Sequence, residues 1–257
     1  METSAPSPGA QVRAALSREG RGEVNKHIGI VACSAEGAAL CYRTICIEGA
    51  AFIGKPHAHP EVSLHSLSLA DYVACLERGD LEGVGALMLE SVEKLAKAGA
   101  DFLICPDNTI HAAFAYVAPR SPLPWLHIAE VVAQEALARG YQRLALTGTQ
   151  WLVDSAVYPE MLGAHGLDYR RPDRAECAEI NRIIMDELVQ GVFKDESTAY
   201  LSAVIARLKA DDDCDAVILG CTELPLVLDE ANSPLPILDS TRLLARAALK
   251  RAIDTSR

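Results

Sequence analysis

The sequence lacks any apolar run approaching the ~20 residues that a bilayer-spanning helix needs, so no membrane role is expected of it. Its opening, METSAPSPGAQVRAALSREGRGEVNK, has no continuous apolar stretch of the secretory kind. Residues 1–26 read instead as a loose leader rich in Ser, Pro, Gly and charge. Basic residues are in deficit, 24 Lys and Arg against 35 Asp and Glu, for a formal charge of −11. That balance argues against sequence-independent binding to nucleic acid or anionic lipid, which needs a net basic surface. The 8 cysteines form no CxxC pair and no disulfide-framework spacing. Reduced, mostly buried thiols in a cytoplasmic protein are expected. No GxGxxG follows a strand, so no phosphate loop is expected. His57 and His59 form an HxH pair with no third ligand in sight, and no metal site is expected. No lysine stands in a Schiff-base context, and no cofactor is implied.

What is present is a globular composition, 50% apolar and 23% charged. Short apolar runs alternate with longer helical patterns. Strands are expected at His27–Cys33, Val62–Leu69, Asp101–Cys105, Ser121–Ile128, Arg143–Thr147, Asp215–Gly220 and Pro236–Asp239. Helical spacing marks Ala86–Ala98, Ile128–Arg139, Asn181–Leu188, Tyr200–Lys209 and Ser240–Ile253, the last with Ser240 as its expected N-cap. Such alternation implies an α/β fold of parallel sheets with helices on both faces. Ligands in such sheets bind just beyond the carboxyl ends of the strands.

Two strand ends echo each other. Residues 100–107 (ADFLICPD) can be laid over residues 214–221 (CDAVILGC). In both, an acid opens an apolar run and a reactive residue sits six positions later. Those residues are Asp107 and Cys221, followed by Thr109 and Thr222. Two similar lobes facing each other would set Asp107 and Cys221 across one cleft. A pair so placed could take a proton from one face of a carbon and return it to the other. The α-proton of an amino acid is very weakly acidic, so such a site must exclude water and hold the carboxylate with several donors.

The chain resembles the aspartate/glutamate racemase superfamily from His27 to Ile253. The residues that carry the resemblance are IGI at 28–30, CYR at 41–43, PDNTIH at 106–111, LPWLHIA at 123–129, LTGT at 146–149, EINRIIMDEL at 179–188 and GCTELPL at 220–226. The resemblance implies a cofactor-independent amino-acid racemase or epimerase, usually homodimeric. It implies two pseudo-symmetric lobes, each a parallel sheet flanked by helices, with the active site in the cleft between them. The expected division is 27–120 plus 230–257 for the first lobe and 121–229 for the second.

By that resemblance Asp107 and Cys221 are the acid/base pair, and Ser34, Asn108, Thr109, Thr149 and Thr222 contact the substrate. Two positions depart from the family pattern. Asp107 stands where a cysteine is usual, and its ordinary pKa of ~3.9 is far below a thiol's ~8.5. The two directions of proton transfer are therefore expected to be kinetically unequal. Glu179 stands where members acting on aspartate or glutamate commonly place a lysine. A glutamate there would repel a distal carboxylate, so a basic or neutral amino-acid substrate is expected. Two other readings are a cofactor-free decarboxylase or isomerase using Cys221 as proton donor, and a binding protein that has retired the chemistry.

Overall fold

The computed structural model describes residues 25–254. The expected leader falls outside them except for Asn25 and Lys26. The described residues form two parallel four-stranded sheets. The first holds β1 (Ile28–Ala32), β2 (Val62–Ser66), β3 (Phe102–Ile104) and β4 (Trp125–Leu126), in the order β2-β1-β3-β4. The second holds β5 (Arg143–Thr147), β6 (Asp168–Arg170), β7 (Ala216–Leu219) and β8 (Ile237–Asp239), in the order β6-β5-β7-β8. Every pairing is parallel.

The two orders are the same order, and the echo in the sequence has a structural cause. Asp101 accepts the backbone N–H of His27 at 2.6 Å, and its own N–H donates back to the His27 carbonyl at 2.8 Å. Asp215 accepts from Gln142 N–H at 2.6 Å and donates to the Arg143 carbonyl at 2.9 Å. Each acid thus ties the entry of its lobe's third strand to the entry of the first. β3 and β7 hold equivalent places, so Asp107 and Cys221 leave equivalent strand ends.

Residues pointing to opposite faces of each strand feed separate cores, as the two-residue period requires. Ile28 and Ile30 join one cluster and Val31 the other. In the second lobe Val217 and Leu219 face one cluster, Ala216 and Ile218 the other. Helices α1 (Ala35–Ile53), α2 (Leu69–Glu77) and α3 (Leu81–Lys97) belong to the first lobe. α4 (Ile128–Ala138), α5 (Val157–Ala164), α6 (Arg174–Arg182) and α7 (Asp195–Asp211) serve the second. α8 (Ser240–Ile253) crosses back, packing Leu244, Ala248 and Leu249 against Ile28, Ile30 and Ile45.

That crossing shifts both expected lobe boundaries. β4 pairs Trp125 and Leu126 with Leu103 and Ile104, so the first sheet runs past residue 121. β8 pairs with β7, so the second sheet runs past residue 230 and the return begins only at Ser240. Three local expectations also change. The N-cap of α8 is Asp239, whose carboxylate accepts from Arg242 N–H, while Ser240 enters the first turn. The helix expected over Asn181–Leu188 stops at Arg182 and gives way to a wide π turn, Ile183–Glu187. α1 was not expected at all. Its buried stripe is Gly37, Ala38, Cys41, Thr44, Ile45 and Gly49, mostly small residues that give little hydropathic signal.

Candidate active site

The loops that leave β1, β3, β5 and β7 meet between the two sheets around a cavity of about 60 Å³, room for roughly four waters. Ser34, Asp107, Asn108, Thr109, Thr149, Cys221 and Thr222 all line it. Local chain signals put them there. Ser34 ends β1 and caps α1, its hydroxyl accepting from Gly37 N–H at 3.2 Å. Thr149 ends β5 and caps the one-turn helix Gln150–Val153, accepting from Leu152 N–H at 3.3 Å. The two caps are therefore counterparts, one per lobe.

The hydroxyls repeat that symmetry. Ser34 Oγ meets Thr222 Oγ1 at 3.0 Å, and Thr109 Oγ1 meets Thr149 Oγ1 at 3.0 Å. Each pair joins the cap of one lobe to the threonine after the reactive residue of the other. Across the cleft the hydroxyls satisfy one another. A carboxylate entering between them would take over hydroxyl protons now spent on these pairs.

Asp107 is partly buried in the cavity wall. Burial pushes its carboxyl up to about 6, against hydrogen bonds from the backbone that pull it down. The backbone N–H of Ile110 reaches Asp107 Oδ1 at 3.2 Å. The Cys33 thiol lies within hydrogen-bonding range of the same carboxylate. Below it, His111 Nδ1 donates to the Asp107 carbonyl at 2.7 Å while Nε2 accepts from Ile128 N–H at 3.4 Å. That pair of contacts fixes the neutral tautomer. Burial lowers His111 to about 3 and the neighbouring His127 to about 4. Both imidazoles are therefore held in the neutral form at neutral pH.

Cys221 is the opposite case. Burial raises its thiol well above the ordinary value, and the Glu223 carboxylate raises it further. Cys221 Sγ donates to Glu223 Oε2 at 2.9 Å, and Thr222 Oγ1 donates to the same oxygen at 2.8 Å. At neutral pH the site thus holds an ionised carboxylate on the first lobe and a protonated thiol on the second.

Two expected contacts are revised. The Asn108 side chain is engaged elsewhere, donating to Ser240 Oγ at 2.9 Å and accepting from Tyr158 OH at 2.7 Å. It is a strut between the loop, α5 and α8 that also lines the cavity. Glu179 does not line the cavity. It turns outward to accept two hydrogen bonds from Arg182 at 2.7 and 2.9 Å, and that contact lowers its pKa. A charge at the helix surface finds a cheaper partner one turn on than across an apolar wall. Cys33 and Glu223 are ionisable cavity residues the sequence reading passed over, together with most of the apolar lining. Both sat inside quoted segments, ACSAE and GCTE, and a buried acid two residues after a strand-end thiol was the available signal.

Gly37 offers a test of the hydroxyl pairing. A Cβ there would lie 2.5 Å from Thr222 Cγ2 and 3.0 Å from Ser34 Oγ. Gly37→Ala favours the helix itself but must displace Thr222. The expected result is a fall in turnover of roughly 10²-fold, the cost of a misplacement near 1 Å, with little change in melting temperature. Unchanged kinetics would show that the Ser34–Thr222 contact is dispensable.

A family model described as Asp/Glu/hydantoin racemase matches residues 28–248. The chain is 26% identical over 164 residues to the broad specificity amino-acid racemase RacX of Bacillus subtilis, covering 63% of this chain and 69% of that protein. It is 30% identical over 156 residues to a glutamate racemase of Thermus thermophilus, 59% of this chain and 55% of that one. That match spans about half the relative's length. A solved aspartate racemase homologue from Pyrococcus horikoshii superimposes with a TM-score of 0.76 at 28% identity, over 89% of this chain and 100% of that one.

Proposed function

The chain belongs to the Asp/Glu/hydantoin racemase family, and from that premise we propose that it inverts the Cα centre of an amino acid, without a cofactor, by proton transfer between Asp107 and Cys221. One observation carries the reading. Two residues at equivalent strand ends of two like lobes line one cavity, and their surroundings favour opposite protonation states.

The chemistry follows from those states. The substrate carboxylate lies among the hydroxyls of Ser34, Thr109, Thr149 and Thr222. Its ammonium faces the acidic side chains. Asp107 removes the Cα proton on its side, and the Cys221 thiol delivers its proton to the opposite face. The thiolate left behind is held by the backbone N–H of Glu223. The reverse direction needs Asp107 protonated and Cys221 ionised, an arrangement the site disfavours. Because L and D forms are equally stable, kcat/KM must be equal in the two directions. The inequality is therefore confined to kcat and KM separately. Closure of the lobes over a bound substrate would exclude the water that quenches a carbanion.

The decarboxylase reading fits less well. A malonate-type substrate would bring two carboxylates beside Asp107 and Glu223, with no lysine or arginine among the described residues that line the cavity. We extend the racemase reading to a cytoplasmic homodimer, with sedimentation velocity as the check on assembly. The decisive measurement is Cα–H exchange in deuterated water, followed by NMR across L- and D-amino acids. Exchange with inversion on at least one substrate is expected. Exchange on none, with gas release from a malonate, would replace this reading with the decarboxylase.

A further inference from the structure

Resting on that racemase reading, we infer that the substrate is an α-amino acid with an apolar side chain, and that a wall formed by α2, Trp151 and the π turn selects it. The cavity has two kinds of lining. The carboxylates and hydroxyls come from the loops at the strand ends. The apolar wall is built from Val73 and Leu76 of α2 in the first lobe, and from Trp151, Ile184, Met185 and Val189 in the second. With the α-carbon held between Asp107 and Cys221, and the α-carboxylate among the hydroxyls, the side chain is left facing this wall.

The wall offers nothing to a charged side chain. Three cations lie close in sequence to it, Arg78, Arg182 and Lys194, and none lines the cavity. Arg78 stands exposed beside Asp80. Arg182 and Lys194 are committed to Glu187, which sits in the π turn between the wall residues. Arg182 Nη1 donates to Glu187 Oε1 at 2.7 Å and Lys194 Nζ to the same oxygen at 3.1 Å, while Ser197 Oγ donates to Oε2 at 2.6 Å. Arg182 is held again by Glu179. A distal carboxylate would enter without a cation and in the field of Asp107 and Glu223, a like-charge arrangement that works as rejection. A distal ammonium laid on that wall would be desolvated against hydrocarbon. The expectation of a basic substrate is thereby narrowed to a neutral one. The π turn has its own part in this. Its wider coil follows α6 and carries Ile184 and Met185 at the wall, with Val189 in the tight turn Leu188–Gln190 just after it, a recurrent use of such turns.

Each methylene placed in an apolar pocket is worth roughly tenfold or more in discrimination. The test measures Cα–H exchange in deuterated water for leucine, methionine, alanine, aspartate, glutamate and lysine with the full chain. Calorimetric titration of Cys221→Ser with the same six adds a readout independent of turnover. Leucine and methionine are expected to exceed aspartate, glutamate and lysine by at least tenfold in kcat/KM, and alanine by a similar factor. Their binding is expected to show the negative heat-capacity change of apolar burial. Met185→Lys is expected to lower leucine exchange and raise glutamate exchange. If aspartate, glutamate or lysine matches leucine in the wild-type protein, the inference falls and the racemase reading stands. If nothing exchanges, the racemase reading falls, and calorimetry alone decides the inference. Leucine binding with negative heat capacity keeps it, and no binding of leucine or methionine overturns it.

Discussion

Cys221→Ser is expected to abolish inversion while sparing hydrogen exchange for one enantiomer. General acid–base groups contribute about 10²–10⁴-fold, so loss of turnover on that scale is the predicted size. The variant should fold, because Cys221 is buried at the end of β7 and a serine hydroxyl can keep the donation to Glu223. What it loses is a group able to hold negative charge after giving up its proton, since a hydroxyl ionises far less readily than a thiol. Asp107 would still take the Cα proton from the enantiomer that faces it. With no thiol opposite, the carbanion can regain only a deuteron from the same side. Exchange would then proceed without a change of configuration. The other enantiomer, which needs Cys221 as base, would exchange at background. NMR exchange combined with chiral chromatography separates the two. Inversion at more than a tenth of the wild-type rate would remove Cys221 from the mechanism. Glu223→Gln is the companion. It keeps an acceptor for Thr222 but removes a charge that raises the thiol pKa, so the alkaline limit of the pH profile should move downward.

How much of this was legible in the sequence differs between fold and site. The fully apolar strands announced themselves, since residues such as 102–104 and 216–219 can be stable only with both faces covered. The repeat of ADFLICPD in CDAVILGC exposed the doubling of the lobes, because the acid at each entry does the same backbone work. α1 was hidden by its small-residue stripe, and β6 by its polar residues Asp168, Tyr169 and Arg170. In the site, the strand-end positions were visible because function in such sheets concentrates there. Side-chain direction was not. Glu179 was placed correctly along the chain and wrongly in space, because it found a nearer partner in Arg182, and Asn108 lines the cavity with its amide already bonded to Ser240 and Tyr158. The apolar wall drew residues from α2 in one lobe and the π turn in the other. No spacing rule within one element could assemble it.

Asp107 should govern the acid side of the reaction. Acting as a base, it must be ionised, and burial holds its pKa at about 6. Turnover in the direction it initiates is expected to fall tenfold for each pH unit below that value and to level off above it. Asp107→Asn should lower turnover by about 10²–10⁴-fold and erase the acid limb. Asp107→Cys should instead move that limb upward, toward thiol values. A side effect separates this account from simple damage to the fold. The carboxyl pKa is raised on folding, from an ordinary value of ~3.9, so the native state holds more protons than the unfolded chain between about pH 4 and 6. Wild-type stability therefore falls as pH rises through that window, and the full cost is present at neutral pH. Asparagine carries no such cost. The Asn variant should melt higher than wild type at pH 7.5, with the difference shrinking as pH approaches 4. A variant that is inactive yet more stable is what a base held in an unfavourable place predicts. Turnover that is flat between pH 5 and 7, or an Asn variant that keeps full activity, would leave Asp107 as a helix-capping residue and move the first-lobe base elsewhere in the cavity. The Cys33 thiol beside it would then be the group to examine.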